Sequence, residues 1–560
     1  MNTARNETQV AYHRRRAEEL KSIRNPWETV WSPLAQFIEP SRLRLQLKDE
    51  GAYSRKDIID STGTFALRTL QSGMHSGITS PARPWFRLTT FDPELKDYAP
   101  VKEYLADVER RMREVFQGSN IYNAFHAGYG DLGQFGQAVS ILVEDDDDII
   151  RMQQLTHGTF WIARDEKGRA TTLYRRFRWN VQRIVARFGY RKVSDRIRTA
   201  YDNARYDEKY DIWHAIEPRL SRDPAKLDKA NKPFLSNYWE DGGNEHDLLE
   251  ESGFDDNPII APPWELASDD HYALSPGMIA LSDIRMLQKE QQRKLEAIDK
   301  QVRPPMTGPT SMRNNPASLL PGSVTYVDDP TGKGYRPAME VNINLQYLSQ
   351  DIREVQDRVN RAFYADLFLM LSNMDGIQPR NTFEIAERKE EKLLALGPVL
   401  ENIYNGQLEP VIDRTFAILS RRDALPPPPA ELEGQELKVE YISLLAQAQK
   451  AVATGGIERG LAFVGQVASV KPEVLDKFDA DEAVDRYFDA LGVDPSIIVS
   501  DENVAKTREA RAQQQAQAQQ AEMMATMAPA AKAGAEATAI AADAMNNPSG
   551  PDLLAQLGIG

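Results

Sequence analysis

Residues 278–302 read MIALSDIRMLQKEQQRKLEAIDKQV, and their periodicity governs how the rest of the chain is read. Leu281, Ile284, Gln288, Gln291, Leu295, Ile298 and Val302 recur at steps of three and four, which places them on one face of an amphipathic helix. Pro304 and Pro305 stop it, because proline removes a donor and clashes with the preceding turn. A second stretch, Leu345–Leu371, repeats the pattern through Leu345, Leu348, Ile352, Val355, Val359 and Ala362, and as one straight helix it would run ~40 Å. Residues 303–344 between them are rich in Pro, Gly and Asn, with strand-like pieces at GSVTYVDD and AMEVN. After the second helix come the polar residues 372–381, SNMDGIQPRN. A third helix is predicted from Asn381, which has capping-box spacing to Glu384. The order is helix, small β-containing insert, helix, polar loop, helix.

Upstream, residues 8–24 predict a charged helix, and Pro26 with Trp27 and Trp31 predicts the start of another. The stretch STGTFALRTLQSGMHSGITSPARPWFRL (61–88) predicts a helix from about Thr64 that Gly77 ends, then an extended turn at Pro81 and Pro84. Residues 97–127 are expected to be helical. QAVSILVEDDDDIIRMQQL and GTFWIARDEKGRATTLYRRFRW supply strands, with DEKG (165–168) as a hairpin turn, and the α+β unit is expected to close there. Asn180 should cap a short helix ending at Gly189, and residues up to about 277 show no clear pattern. Downstream, helices continue to the PPPP of 426–429, a strand follows at ELKVEYI, and Ser443 to about Leu491 forms a broken helical block. Beyond residue 501 the chain is Ala- and Gln-rich with few large apolar groups, so it buries little by itself.

The 560 residues carry a net charge of −15, with 41% hydrophobic and 8% aromatic residues, which suits several packed cores. That charge argues against a surface that grips nucleic acid everywhere, since neutralising phosphates needs a local Lys/Arg excess. The absence of cysteine removes disulfides, thiolate metal ligands and thiol nucleophiles. No apolar run approaches the ~20 residues that span a bilayer, and the polar start lacks a secretory signal's apolar core, so a cytoplasmically made protein is expected.

Catalytic motifs fail in turn. DPTGKG around Lys333 lacks the first glycine of a phosphate loop, and Gly334 stands where a Ser or Thr must hold magnesium. The acidic run Glu144–Asp148 is read as a solvated hairpin edge rather than a cation site, because a strand sends successive side chains to opposite faces. No histidine forms a zinc-protease pair with a glutamate. The basic stretch 174–198 interleaves nine Lys/Arg with aromatics, as nucleic-acid surfaces do, but the net charge favours a solvated face or pairing with acidic neighbours on another subunit. No enzyme activity, cofactor or metal is expected.

The order of elements, together with SGMHSGITSPARPWFRL (72–88), GYGDLGQFGQAVSILVEDD (128–146), SPGMIALSDIRMLQKEQQRKLEAIDKQVRPPM (275–306) and the stretch 358–403, resembles the portal or head-to-tail connecting proteins of podovirus-like tailed phages. The resemblance covers most of the chain to about residue 450. It implies an α+β, mainly helical portal fold with wing, stem, clip and crown, assembled as a ring of typically twelve subunits around a channel for double-stranded DNA. Under it, 1–277 is wing, 278–302 the first stem helix, 303–344 the clip, 345–371 the second stem helix and 372–381 a tunnel loop. Residues 382–440 form the wing helix and return strand, 441–500 the crown, and 501–560 a barrel helix or disordered tail. Ser372, Asn373, Asp375, Gln378, Arg380 and Asn381 would face DNA. Leu281, Ile284, Leu295, Ile298, Leu348, Ile352, Val355 and Val359 would pack the stems into a ring, so charging Leu348 and Val355 is expected to abolish it. Arg313, Asn314, Tyr326, Lys333 and Tyr335 would dock partners on the clip. The implied partners are the terminase large subunit, tail adaptor and tail tube proteins, major capsid and scaffolding proteins, and internal core proteins, with no membrane. The implied location is the portal vertex of the virion, and the host cytoplasm during assembly. The alternative reading of the same helices is an oligomeric scaffold that never meets DNA.

Overall fold

A threonine opens the first helix: in the computed structural model Thr8 has extended backbone and its hydroxyl accepts from the Ala11 amide, starting α1 (Gln9–Phe37). The structure describes residues 8–46, 55–303 and 396–446 apart from isolated positions, together with 306–307, 336–337, 345–372 and parts of 460–484, 504–518 and 538–539. The break expected at Pro26 does not occur, and α1 runs through both Pro26 and Pro33. A proline inside a helix costs ~3 kcal/mol, and packing offsets it. Leu20, Trp31 and Leu34 are fully buried, and the Arg24 guanidinium donates to the carbonyls of Gly158 and Phe160.

The chain continues through α2 (Thr62–Ile78), β1 (Phe86–Thr90), a single turn α3 (Pro93–Lys96), α4 (Ala99–Gly118) and α5 (Ile121–Phe135). The expected helix 97–127 is thus two helices, the second running on to Gly136, which adopts a left-handed φ of 87° against the Ala273 carbonyl. Then come β2 (Ser140–Asp145), β3 (Ile149–Gln154), β4 (Phe160–Arg164), β5 (Ala170–Asn180), α6 (Val181–Phe188), α7 (Asp195–Asp202), β6 (Lys209–Pro218), β7 (Phe234–Glu240), β8 (Glu250–Phe254) and β9 (Ile259–Ile260). Asn180 caps α6, with its side chain accepting from the Arg183 amide, and Gly189 ends it, as read from the sequence.

Two sheets organise this half. β2 pairs antiparallel with β3 on one side and β9 on the other, and the acidic run forms the β2–β3 turn, where the Asp145 carboxylate accepts from the Asp147 and Asp148 amides at 3.0 Å. The second sheet has the antiparallel order β4-β5-β6-β7-β8. Asp165 and Gly168 close the β4–β5 turn as expected, but the sheet does not end at β5. It gains three more strands from the region that showed no clear pattern. One face packs Trp161, Trp213 and Trp239 onto Val10, Ala17 and Leu20 of α1.

Next follow α8 (Pro276–Val302), the short pair β10 (Met306–Thr307) and β11 (Arg336–Pro337), α9 (Leu345–Ala362) and α10 (Ala365–Ser372). The helix expected to run unbroken over 345–371 is interrupted at Tyr364, whose φ of 54° is left-handed. The third helix expected from Asn381 falls mostly outside the described residues. From 396 the chain is helical, passes through a π turn at Tyr404–Leu408 and continues as α11 (Glu409–Arg421). β12 (Leu437–Tyr441) then returns to pair antiparallel with β1, Phe86 opposite Tyr441. The main core gathers Trp31, Trp85, Phe116, Phe125 and Phe135 with residues of α8, α9, α10 and α11.

Residues 1–452 form one compact unit and 453–560 a second. In the second, residues 504–518 are helical and, after the half-buried Val504, exposed, and Arg508 pairs with both Asp481 oxygens at 2.6 and 2.7 Å.

Candidate assembly surface on the paired helices

The root of α8 is fixed by a cap that serves two partners. The Ser275 hydroxyl accepts from the Met278 amide at 3.0 Å and donates to the Gln134 carbonyl at 2.9 Å, while Pro276 occupies the first turn, where its missing donor costs nothing. Gly277 lets the helix start press on α5: a Cβ there would sit 2.8 Å from the Gln134 oxygen. From this root α8 packs along α9, burying Ile284, Leu287, Ile352, Val355 and Val359 to 3% exposure or less.

Asp60, in the segment before α2, fastens both helices. Its carboxylate accepts from Gln291 of α8 and Gln356 of α9, each at 3.0 Å, and from the Thr62 amide at 2.8 Å. Gln288 completes the clasp, accepting from the Ile59 and Asp60 amides and donating to the Asp60 carbonyl. Burial pushes the Asp60 carboxyl up, but these hydrogen bonds outweigh it and hold the group below its ordinary value. The two glutamines that interrupt the apolar stripe therefore have a structural role. Further along, Arg358 pairs with Asp283 at 3.1 Å, and Glu290 is pushed up by burial and by a hydrogen bond with Asp351 across the helix pair.

Of the residues assigned to a ring seam, the structure divides the set. Ile284, Ile352, Val355 and Val359 are buried inside the subunit, and Leu281 and Leu348 are half-buried. Leu295 and Ile298 are 59% and 36% exposed, and Val302 beyond them is 72% exposed. The same stripe thus feeds the subunit's core at its root and lies open at its far end. Ile279 and Met286 of α8 and Tyr347 of α9 are also exposed large apolar groups that periodicity did not single out. At 3.6 residues per turn, Ile279 and Met286 lie more than ~100° around the axis from the Leu295–Val302 stripe. Their signal was in the sequence as apolar residues seven apart, off the main face.

Ser372 ends α10; Asn373, Asp375, Gln378, Arg380 and Asn381 lie outside the described residues. So do Arg313, Asn314, Tyr326, Lys333 and Tyr335. Among the described residues no group of acidic residues and histidines could hold a metal ion, and no helix is long and apolar enough to cross a membrane.

Comparison with known proteins extends this geometry. The family described as "Bacteriophage head to tail connecting protein" matches residues 11–499. The chain is 44% identical over 510 residues to the portal protein of Salmonella phage epsilon15, covering 90% of this chain and 91% of that one. It is 46% identical over 511 residues to a probable portal protein of Bordetella phage BPP-1, covering 90% and 92%. Among solved structures, a chain from the virion of a native gene transfer agent particle is 11% identical, with a TM-score of 0.31 over 72% of this chain and 85% of that one. A chain from the neck of the empty particle gives a TM-score of 0.32 over 72% and 86%. On the strength of the match across residues 11–499 and the two phage relatives, the chain belongs to the bacteriophage head-to-tail connecting protein family.

Proposed function

We propose that this protein is the portal of a tailed phage: a ring at one capsid vertex through which DNA is packaged and later ejected, and to which the tail attaches. The observation that carries the reading is identity of 44–46% to two phage portal proteins over about nine-tenths of every chain compared. The portal is a structural conduit and not an enzyme; the motor that drives DNA belongs to a terminase bound from outside.

In this reading α8 and α9 are the stem, 303–344 the partner-docking clip, and 372–381 a loop that projects from the end of α10 toward DNA. Residues 1–277 and 382–440 make the wing, and 441–500 the crown. The ring is taken to hold twelve copies, meeting capsid and scaffolding proteins at its rim and the tail adaptor at the clip, first in host cytoplasm and then in the virion. One feature supports a ring and another the passage of DNA. Exposed apolar residues sit on two separated sides of α8, and a head-to-tail contact that closes a circle needs two different patches. The loop carries Asp375 and Arg380 among small polar residues, which suits sliding, because each phosphate clamped by a cation adds a salt-dependent barrier.

Negative-stain microscopy of the purified protein tests the assembly: rings with an open lumen are expected, and a monomer or a closed bundle overturns the reading. Deleting Asn373–Arg380 tests the conduit. Particles should assemble with portal incorporated yet package or retain less DNA, and full packaging by the deletion removes the loop's role.

A further inference from the structure

The face of the five-stranded sheet opposite α1 is only partly covered, and the uncovered part floors a cleft of about 1010 Å³. The cleft is walled by the β2–β3 hairpin, α6 and the segment after β6. Alternation along β5 sends Arg175, Phe177 and Trp179 to this face and Tyr174 to the other. The basic stretch 174–198 divides here. Arg178 pairs with Asp211 at 2.7 Å and Arg198 with Asp195 at 3.1 Å, whereas Arg175, Arg183 and Arg187 line the cleft.

Most cations of the lining already have partners. Arg187 pairs with Glu250 at 2.9 Å, Lys232 with Asp255 at 2.7 Å, and Arg151 with Asp148 at 3.5 Å. Arg414 donates to the Leu142 and Asp256 carbonyls. Three remain that meet no carboxylate among the described residues. Arg175 is half-buried and meets only neutral partners, donating to His214 Nδ1 at 3.0 Å and Gln153 Oε1 at 3.1 Å and hydrogen-bonding Tyr238. Arg183 lies over the Trp179 ring at 4.1 Å, and Lys229 is exposed at the mouth. Phe177 and Trp179 are half-buried, with Arg175 over the first ring at 5.1 Å and Arg183 over the second at 4.1 Å, and such a face of surplus cations beside aromatic rings is matched by a chain that brings separated carboxylates with apolar groups between them.

We propose that this cleft binds an acidic peptide segment of a partner protein, whose carboxylates engage Arg175, Arg183 and Lys229 while its apolar side chains pack beside the half-buried Phe177 and Trp179. A nucleic-acid duplex fits the lining less well. It presents a charge every ~1.7 Å of axis, and Glu144, Asp145, Glu250 and Asp255 interrupt the cations. The inference does not rest on ring formation.

The test uses the full chain and a fluorescein-labelled peptide alternating Glu with Phe, followed by anisotropy at low ionic strength. Arg183 and Lys229 are exposed, so Arg183→Glu with Lys229→Glu leaves the fold intact, which circular dichroism and the melting midpoint verify. Saturable binding is expected, weakened about tenfold or more by the double variant, as loss of two charge-assisted contacts implies. Trp179→Phe should remove any change in tryptophan emission on binding. No binding, or equal binding by the variant, overturns the proposal. So does preferential binding of a short DNA duplex that the double variant loses, which makes the cleft a nucleic-acid site. A fall in oligomeric mass on sedimentation of the double variant also overturns it, because the occupant is then a second copy of this chain.

Discussion

Asp60 ties together helices that are distant in sequence, through Gln291 on α8 and Gln356 on α9. Replacing it by alanine leaves two glutamine amides without their acceptor in a half-closed interface. Asp60→Ala should therefore lower stability by ~1.5–3 kcal/mol, the usual worth of hydrogen bonds to a charged group. The pH dependence follows from the direction of the shift. Because the folded carboxyl titrates below its unfolded value of 3.8, its contribution is complete above that value and is lost as pH falls through the lower, folded one. Denaturant titrations at several pH values should find the gap between wild type and Asp60→Ala constant near neutrality and shrinking below about pH 4. A gap that persists into acid would mean that the residue acts by shape alone. This clasp was half legible. Gln288 and Gln291 stood out as polar residues on an apolar stripe, but their partner sits in a polar, aperiodic segment that nothing in the pattern connects to α8.

The glycines of SGMHSG become intelligible only in the packed helices. A Cβ on Gly73 would sit 2.2 Å from Phe368 Cγ, and one on Gly77 would approach Leu445 Cγ at 2.9 Å, so both let α2 be approached closely by later parts of the chain. Phe368 belongs to α10, the helix that delivers the chain to residues 372–381. Gly73→Ala should destabilise by ~1–3 kcal/mol through overpacking and should loosen α10 in particular. Hydrogen exchange should quicken over 365–372 while α4 and the five-stranded sheet keep their protection. Uniform loss of protection would show that α10 does not respond separately. Helices with an unbroken 3.6-residue stripe, α8 above all, were legible because one face must be apolar. The interruption at Tyr364 was not, since RAFYADLF contains neither glycine nor proline; the break is held by burial of Phe363 and the approach of Tyr364 to Trp264 at 6.0 Å. β7 and β8 escaped for a related reason. FLSNYWE lacks clean alternation and EESGF is short and polar; β7 forms on the edge that β6 offers and β8 on the edge that β7 offers.

For the whole assembly, the location of apolar surface in one subunit makes the ring testable in a way the stripe alone did not. Val355 is fully buried between α8 and α9, so Leu348→Asp with Val355→Asp should unfold the subunit and say nothing about its neighbours. The informative changes are at exposed positions. Leu295→Asp with Ile298→Asp removes one patch, and Ile279→Asp with Met286→Asp removes the other, each at positions already in contact with solvent. Both variants should keep the wild-type far-ultraviolet circular dichroism, since every substitution lies at an exposed position. Burying a side chain of this size is worth ~1.5–3 kcal/mol, so losing two per contact, repeated around a closed circle, should leave each variant monomeric on its own. Mixing them separates the two kinds of symmetry. In a head-to-tail contact, the intact patch of one variant meets the intact complementary patch of the other, and the growing chain stops after a single junction because both outer patches are charged. Sedimentation of the mixture should therefore show dimers and no rings. If one patch instead met its own copy across a two-fold axis, the variant retaining that patch would dimerise unmixed, and a circle built from one repeated contact would be excluded.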